Sequence, residues 1–226
     1  MSEYVSVLYP ARGRPYALHR SAAASLDRAA RPDRVELLFR FDADDPQLAS
    51  EMGVIASLAR RYPHSRLLAI TGERHGYVGL HDYFNELAAV SRGAWLLQWN
   101  DDTDILTPAW DDLLFQAPPV SVQLLRRDVC ATADPTFPAT GRPVYEAMGH
   151  ISLNGHCDAW VSDVSWWAGC QVIRNDIVFA HHCMADQTAR DRVDDMDRFK
   201  GAEQTAVRAG DIERVKARMA MKGTAL

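Results

Sequence analysis

An apolar run at residues 94–99 breaks directly into Asn100-Asp101-Asp102-Thr103-Asp104 and then Thr107-Pro108-Ala109-Trp110. Carboxylates packed this closely repel one another unless a cation shares the site or a proton stays on. A few oxygen ligands of this kind suit Mg2+ or Mn2+ and leave coordination positions for substrate phosphates. The same residues also serve a solvated acidic turn, with Asp111 and Asp112 starting a helix.

Three further groups carry reactive side chains. Arg40-Phe41-Asp42-Ala43-Asp44-Asp45-Pro46 follows a second apolar run. An acidic residue at such a strand end can accept hydrogen bonds from a base or ribose, and a carboxylate ahead of Pro46 suits a helix start. Asp45 is therefore assigned to the cap and Asp42 to the ligand. His181-His182-Cys183 offers metal ligands. Zinc held by Cys183, His182, Cys157 and His156 is one reading, without the paired C-x-x-C spacing, and a core histidine is the other. Asp158, in Cys157-Asp158-Ala159-Trp160, stands at a helix start, either as an N-cap or as a partly desolvated general base.

These groups need elements to hold them. The pattern predicts strands over 4–9, 35–41, 66–70 and 94–99. Helical stripes lie between them at Leu18/Ala22/Leu26/Ala30, Leu48/Met52/Ile55/Ala59/Tyr62 and Leu80/Phe84/Leu87/Ser91. Such alternation argues for an α/β domain with a largely parallel sheet, whose ligands gather at the carboxyl ends of the strands. Three of the four strand ends carry polar clusters: 10–15, 42–45 and 100–104. The second half is less regular. A fifth strand is expected over 120–125, a long loop over 126–143 and a helix over 160–168. Short strands are expected over 170–173 and 177–180, and an amphipathic helix over 202–219.

The chain has 226 residues, is 47% hydrophobic and 24% charged, and carries a formal net charge of −5. That balance fits a globular chain of one large domain, or of one domain with a tail. The acidity disfavours non-specific nucleic-acid binding through overall charge. No stretch reaches the length of a membrane span, and no secretory signal is expected from the N-terminal residues. The cysteines, Cys130, Cys157, Cys170 and Cys183, are too few and scattered for a disulfide scaffold, so reduced thiols are expected.

In this order, the segments resemble the GT-A class of nucleotide-sugar glycosyltransferases, family-2-like. In that family a first strand ends in a P-x-x-N/G-R-P loop, matched by Pro10-Ala11-Arg12-Gly13-Arg14-Pro15. A second strand ends in an Asp that contacts the base, matched by Asp42. Asn85 and Gly93 resemble an A-x-N…G segment before the fourth strand. Asn100-Asp101-Asp102-Thr103-Asp104 with Thr107-Pro108-Ala109-Trp110 resembles the D-x-D-like motif. Asp158 and Gly169 resemble the catalytic Asp and the Gly that follows it. His181 matches the final histidine of the metal site, with His182 as its neighbour. The resemblance covers residues 4–183 and is most specific over 94–110. Three positions depart from the pattern: Asn100 replaces the first Asp, Cys157 replaces the acidic residue before Asp158, and Phe84 replaces a phosphate-contacting Arg. Arg74, Arg126 and Arg127 are candidates for that phosphate contact.

The resemblance implies a Rossmann-like, mostly parallel sheet flanked by helices, with a glycosyltransferase domain over 1–185 and a helical extension over 186–226. Residues 1–110 would form the nucleotide-sugar half and 111–185 the acceptor half. It implies inverting transfer from a UDP- or GDP-type sugar, with Asp158 as base and with Pro10, Arg12, Arg14, Asp42, Asn85 and Asp101 on the donor. Asp102 and His181 would bind Mn2+ or Mg2+. The whole pattern looks particularly like the short, compact enzymes encoded by bacteriophages and their hosts, and a cytoplasmic setting is expected. The acceptor would be a saccharide or a hydroxylated DNA base, the latter needing extrusion from the stack. The rival functions are a non-catalytic nucleotide-sugar-binding module and a metal-dependent nucleotidyltransferase or phosphodiesterase.

Overall fold

The computed structural model describes residues 3–134, 136–182 and 202–223. The chain runs β1 (Val5–Ala11), α1 (Pro15–Asp27), β2 (Val35–Asp42), α2 (Leu48–Arg61), β3 (Arg66–Gly72), α3 (Leu80–Val90) and β4 (Trp95–Gln98). It continues through β5 (Thr103–Ile105), α4 (Trp110–Leu114), β6 (Val122–Arg127), β7 (Ala139–Gly141), α5 (Arg142–Met148), α6 (Cys157–Ala168) and β8 (Gln171–His181). The last described element is α7 (Ala202–Gly223).

Among the described residues the strands form one eight-stranded sheet in the order β3-β2-β1-β4-β7-β6-β8-β5. The β3-β2-β1-β4 half is parallel throughout. β7 is antiparallel to both β4 and β6, and β6 is parallel to β8. The carboxyl ends of β1, β2, β4, β6 and β8 therefore lie along one edge. This is the α/β architecture expected from the alternating strand and helix patterns.

Successive strand residues feed opposite cores, because side chains alternate across a pleated sheet. Val7, Phe39, Leu97 and Trp99 pack with Leu18, Ala22 and Leu26 of α1 and Leu58 of α2. Leu8, Leu38 and Leu96 pack with Phe84 and Leu87 of α3, Val144 of α5, and Trp160 and Val164 of α6. α1 starts with Pro15 in its first turn, where a missing N–H costs nothing. β2 is buried along its whole length, which explains its near-continuous apolar character.

The second half differs from the sequence pattern at four places. The expected loop over 126–143 contains β7 and the start of α5. β7 is three residues inserted between β4 and β6, too short to leave a period of its own. A Cβ on its Gly141 would lie 2.2 Å from the Pro119 carbonyl oxygen, so only glycine fits there. β5 forms within the end of the acidic run because it pairs with β8, a long-range contact. The two short strands over 170–180 are one strand, β8, whose register against β6 shifts between Leu125 and Arg126. α6 begins at Cys157, earlier than expected.

α7 lies against α5 and α6. Val215 is fully buried there, and the buried Asp211 carboxylate accepts from Trp160 Nε1 at 2.9 Å. The expected extension over 186–226 is described only within α7, and Cys183 lies outside the described residues. No helix among the described residues is long and apolar enough to cross a membrane.

Candidate active site at the carboxyl edge of the sheet

β4 delivers the acidic run to the sheet edge. Asp101 is 1% exposed and Asp102 7%. Arg14, on the loop after β1, reaches both, with Nη2 2.5 Å from Asp101 Oδ1 and Nη1 3.6 Å from Asp102 Oδ2. Burial pushes the Asp101 carboxyl up to about 7 against the pull of Arg14. Burial also opposes the Asp102 charge, but His181 and Arg14 outweigh it and hold that carboxyl below its ordinary range.

The end of β8 separates its two histidines. His181, paired in register with Thr103, places Nε2 3.5 Å from Asp102 Oδ1. His182 places Nε2 2.9 Å from Asp104 Oδ2, which also receives Arg20 Nε at 2.9 Å. The His182 backbone N–H donates to the Asp102 carbonyl at 2.8 Å, locking β8 to the acidic turn. Adjacent strand residues point opposite ways, so only one histidine of the pair can meet Asp102.

Asp102 and His181 fit a divalent ion by a direct observation. Asp102 Oδ1 and Asp101 Oδ2 are buried and accept no hydrogen bond among the described residues. Buried carboxylate oxygens are normally satisfied, so these two leave room for a cation. No group of three or more His, Cys, Asp or Glu among the described residues is arranged to hold a metal. A ligand set built on Asp102 and His181 would need substrate or water oxygens to complete it, as Mg2+ and Mn2+ sites commonly do. The described members of the zinc reading are not brought together. His182 is engaged by Asp104, whereas the buried Cys157 thiol donates to the Asn154 carbonyl at 3.4 Å.

The loop after β1 meets the end of β2. Arg12 Nη1 lies 2.9 Å from Asp42 Oδ2 and 2.6 Å from Asp44 Oδ1. The Tyr83 hydroxyl donates to Asp42 Oδ1 at 2.7 Å and accepts the backbone N–H groups of His75 and Gly76. Asp42 therefore links Arg12, β2 and α3. Pro10 sits within β1 opposite Arg40. Asp45 is not the cap expected for α2: the N-cap residue is Gln47, without a side-chain cap. Asp45 instead accepts from Gln47 N at 2.8 Å and Gly13 N at 2.7 Å, bracing the β1 loop. Gly13 has φ +73, a backbone state that glycine adopts without strain.

Glu51 lies beneath this loop and accepts from Arg14 N at 3.3 Å. Burial, reinforced by Asp45, lifts its carboxyl to about 7. Between the ordinary carboxyl range and about 7, the folded chain keeps protons on Glu51 and Asp101 that the unfolded chain has released. Stability therefore falls as pH rises through that window and levels off above it. Glu51→Gln removes about one of those protons, so the melting temperature of the metal-free protein should decline less steeply from pH 5 to 7. Melting curves across that range check it, and an unchanged slope would refute the assignment.

Asn85 does not extend toward this edge. Its Oδ1 accepts from Ile151 N at 2.7 Å and its Nδ2 donates to the Ser152 carbonyl at 2.8 Å. It braces the segment that leads into α6. Asp158 stands in the first turn of α6 behind the N-cap His156, so it is not the N-cap, and its carboxylate accepts only from Ala159 N, at 2.8 Å, among the hydrogen bonds described. Burial raises its carboxyl above the ordinary range. Arg126 and Arg127 end β6 on the same edge of the sheet, whereas Arg74 is exposed beyond β3. Tyr83, Glu51, Arg20 and Phe137 are neighbours of the site that the sequence pattern did not single out. Glu51 and Tyr83 lie in α2 and α3 but off the apolar stripes that marked those helices, and Phe137 stands in an irregular stretch with no period.

No family pattern matches the chain, and no curated protein is similar to it in sequence. Solved structures are similar in fold. The mannosyltransferase PcManGT from Pyrobaculum calidifontis, in complex with GDP-Man and Mn2+, is 14% identical with a TM-score of 0.63, over 98% of this chain and 75% of that one. S. aureus TarS 1-349 in complex with UDP is 10% identical with a TM-score of 0.56, over 80% of this chain and 59% of that one. A further S. aureus TarS structure is 11% identical with a TM-score of 0.59, over 78% of this chain but only 36% of that one. At these identities the likeness shows the fold, and that fold is the Rossmann-like GT-A fold of glycosyltransferases.

Proposed function

We propose that this chain is a divalent-metal-dependent, inverting glycosyltransferase that uses a nucleotide-diphosphate sugar. The observation that carries the reading is the pair of buried carboxylate oxygens on Asp101 and Asp102, without hydrogen bonds among the described residues, at the carboxyl edge of the sheet beside His181 and Arg14. The GT-A fold and neighbours solved with GDP-Man and Mn2+ or with UDP support it.

Bound by Asp102 and His181, Mn2+ or Mg2+ would supply charge neutralisation at the departing diphosphate. Arg14 turns from its ion pair with Asp101 toward the same phosphates as they arrive. Arg12, oriented by Asp42 and Asp44, adds a fixed cation at the neighbouring strand end. Asp42, held by Tyr83, faces the nucleoside. Asp158 takes the proton of the acceptor hydroxyl as its oxygen bonds to the anomeric carbon. The bond from that carbon to the diphosphate oxygen breaks, and its electron pair leaves with the nucleoside diphosphate. A carboxyl lifted by burial is a better proton acceptor than an ordinary one, which suits this transfer. Asn85 acts as a positioning residue through the segment before α6.

A panel of UDP- and GDP-sugars, each with and without Mn2+, tests the reading by thermal shift and by release of nucleoside diphosphate. A cognate donor at about 100 times its Kd should raise the melting temperature by about 5–10 °C, and only with Mn2+ present. No shift with any donor under either condition would sink the proposal. A donor-dependent shift without release or transfer would leave a binding module.

A further inference from the structure

Phe137 has φ +59, in the left-handed region that a bulky aromatic residue rarely adopts. Such backbone persists only where the surroundings over-determine it. The flanking chain does so here. Thr136 N donates to Asp134 Oδ1 at 2.9 Å and Asp134 N to the Leu125 carbonyl at 2.9 Å, tying one side to β6. Gln98 N donates to the Pro138 carbonyl at 3.2 Å, tying the other side to β4.

This backbone holds the Phe137 ring against Trp99, which precedes the acidic turn, and against Phe179 and His181 of β8. The ring is 5% exposed. Its centroid lies 5.6 Å from Trp99, just ahead of the acidic run, and 5.6 Å from Phe179, two residues before His181. It also lies 5.0 Å from the His181 imidazole at an interplanar angle of 80°. Edge-to-face packing of this kind restrains the orientation of a ring. Trp99 is itself fixed, its Nε1 donating to the Thr103 carbonyl at 3.1 Å.

We infer that Phe137 is a positioning residue that sets the His181 imidazole against Asp102. The inference rests on the proposed ion site at Asp102 and His181. Groups that orient a metal-bound histidine typically change metal affinity by about 10- to 100-fold when removed. Phe137→Gly removes the ring and accepts the left-handed backbone without strain, so the fold has a compensating gain. Phe137→Leu keeps apolar volume and loses the planar edge.

The experiment titrates Mn2+ against the protein with GDP, and separately with UDP, following the free-Mn2+ electron paramagnetic resonance signal. Phe137→Gly should weaken Mn2+ binding by at least about ten-fold, with Phe137→Leu falling between it and the parent. In a His181→Ala background neither substitution should weaken Mn2+ binding further, because the histidine they orient is gone. A folded Phe137→Gly protein with the parent's Mn2+ affinity overturns the inference. Equal losses with and without His181 also overturn it, since the ring would then act on the fold at large. If Phe137→Gly does not fold, Phe137→Leu decides by the same two comparisons. Parent protein that fails to bind Mn2+ would instead overturn the proposed ion site itself, and this inference with it.

Discussion

Asp102→Asn is expected to abolish Mn2+-dependent donor binding and to cut sugar transfer by about 100-fold or more, while the protein stays folded. The asparagine keeps the shape of the side chain and removes its charge. The lost charge is the one that His181 faces at 3.5 Å, on an oxygen with no hydrogen bond among the described residues. Neutralising a leaving diphosphate is worth several kcal/mol, hence the size of the effect. Stability should change little, because two terms oppose each other. The variant weakens the contacts to Arg14 and His181, but relieves the neighbouring Asp101, whose carboxyl is lifted partly by the Asp102 charge. The backbone bond from His182 N to the Asp102 carbonyl survives the substitution. Calorimetric titration of donor with Mn2+, beside a melting curve, checks both parts. Donor binding at parental affinity would place the ion elsewhere.

Asp158→Asn should leave donor and Mn2+ binding intact and lower kcat by about 10²- to 10⁴-fold, the range for losing a general base. The amide can still accept the Ala159 N–H, the hydrogen bond that the carboxylate accepts at 2.8 Å, so the first turn of α6 is preserved. The separation of the two effects is the point of the test. Asp102 acts on the donor, whereas Asp158 acts on the acceptor proton and should not alter donor affinity. Single-turnover transfer with saturating donor reads the second effect directly. Transfer at the parental rate would remove Asp158 from the mechanism. The next carboxylate on α6, Asp163, is already paired with Arg208 at 2.6 Å.

The local pattern of the chain determined the elements of the first half. Leu18, Ala22 and Leu26, spaced four apart, form the buried stripe of α1, and the near-continuous apolar run from Val35 forms the fully buried β2. Period and composition suffice there because each of these elements is long enough to show its own repeat or apolar run. The acidic run at 100–104 was legible for the same reason: an abrupt change from apolar to charged residues marks a strand end. The second half was less legible. β5 and β7 are three residues each, too short to show a repeating pattern, and exist because β8 and β4 are there to pair with them.

The sequence alone therefore determined the alternating α/β class, the strand ends that gather polar groups, and the candidates Asp102, Asp158 and His181. It could not determine which groups meet, because partners tens of positions apart leave no local signal. Only the tertiary structure decided that His181 turns to Asp102 while His182 turns to Asp104, since β8 enters the edge in one register against β5. It likewise decided that Asp45 braces the Gly13 loop instead of capping α2, and that the Asn85 amide is taken up by the backbone at Ile151 and Ser152. A short polar side chain bonds to whichever unsatisfied group packing brings within about 3 Å, and packing is a property of the whole chain.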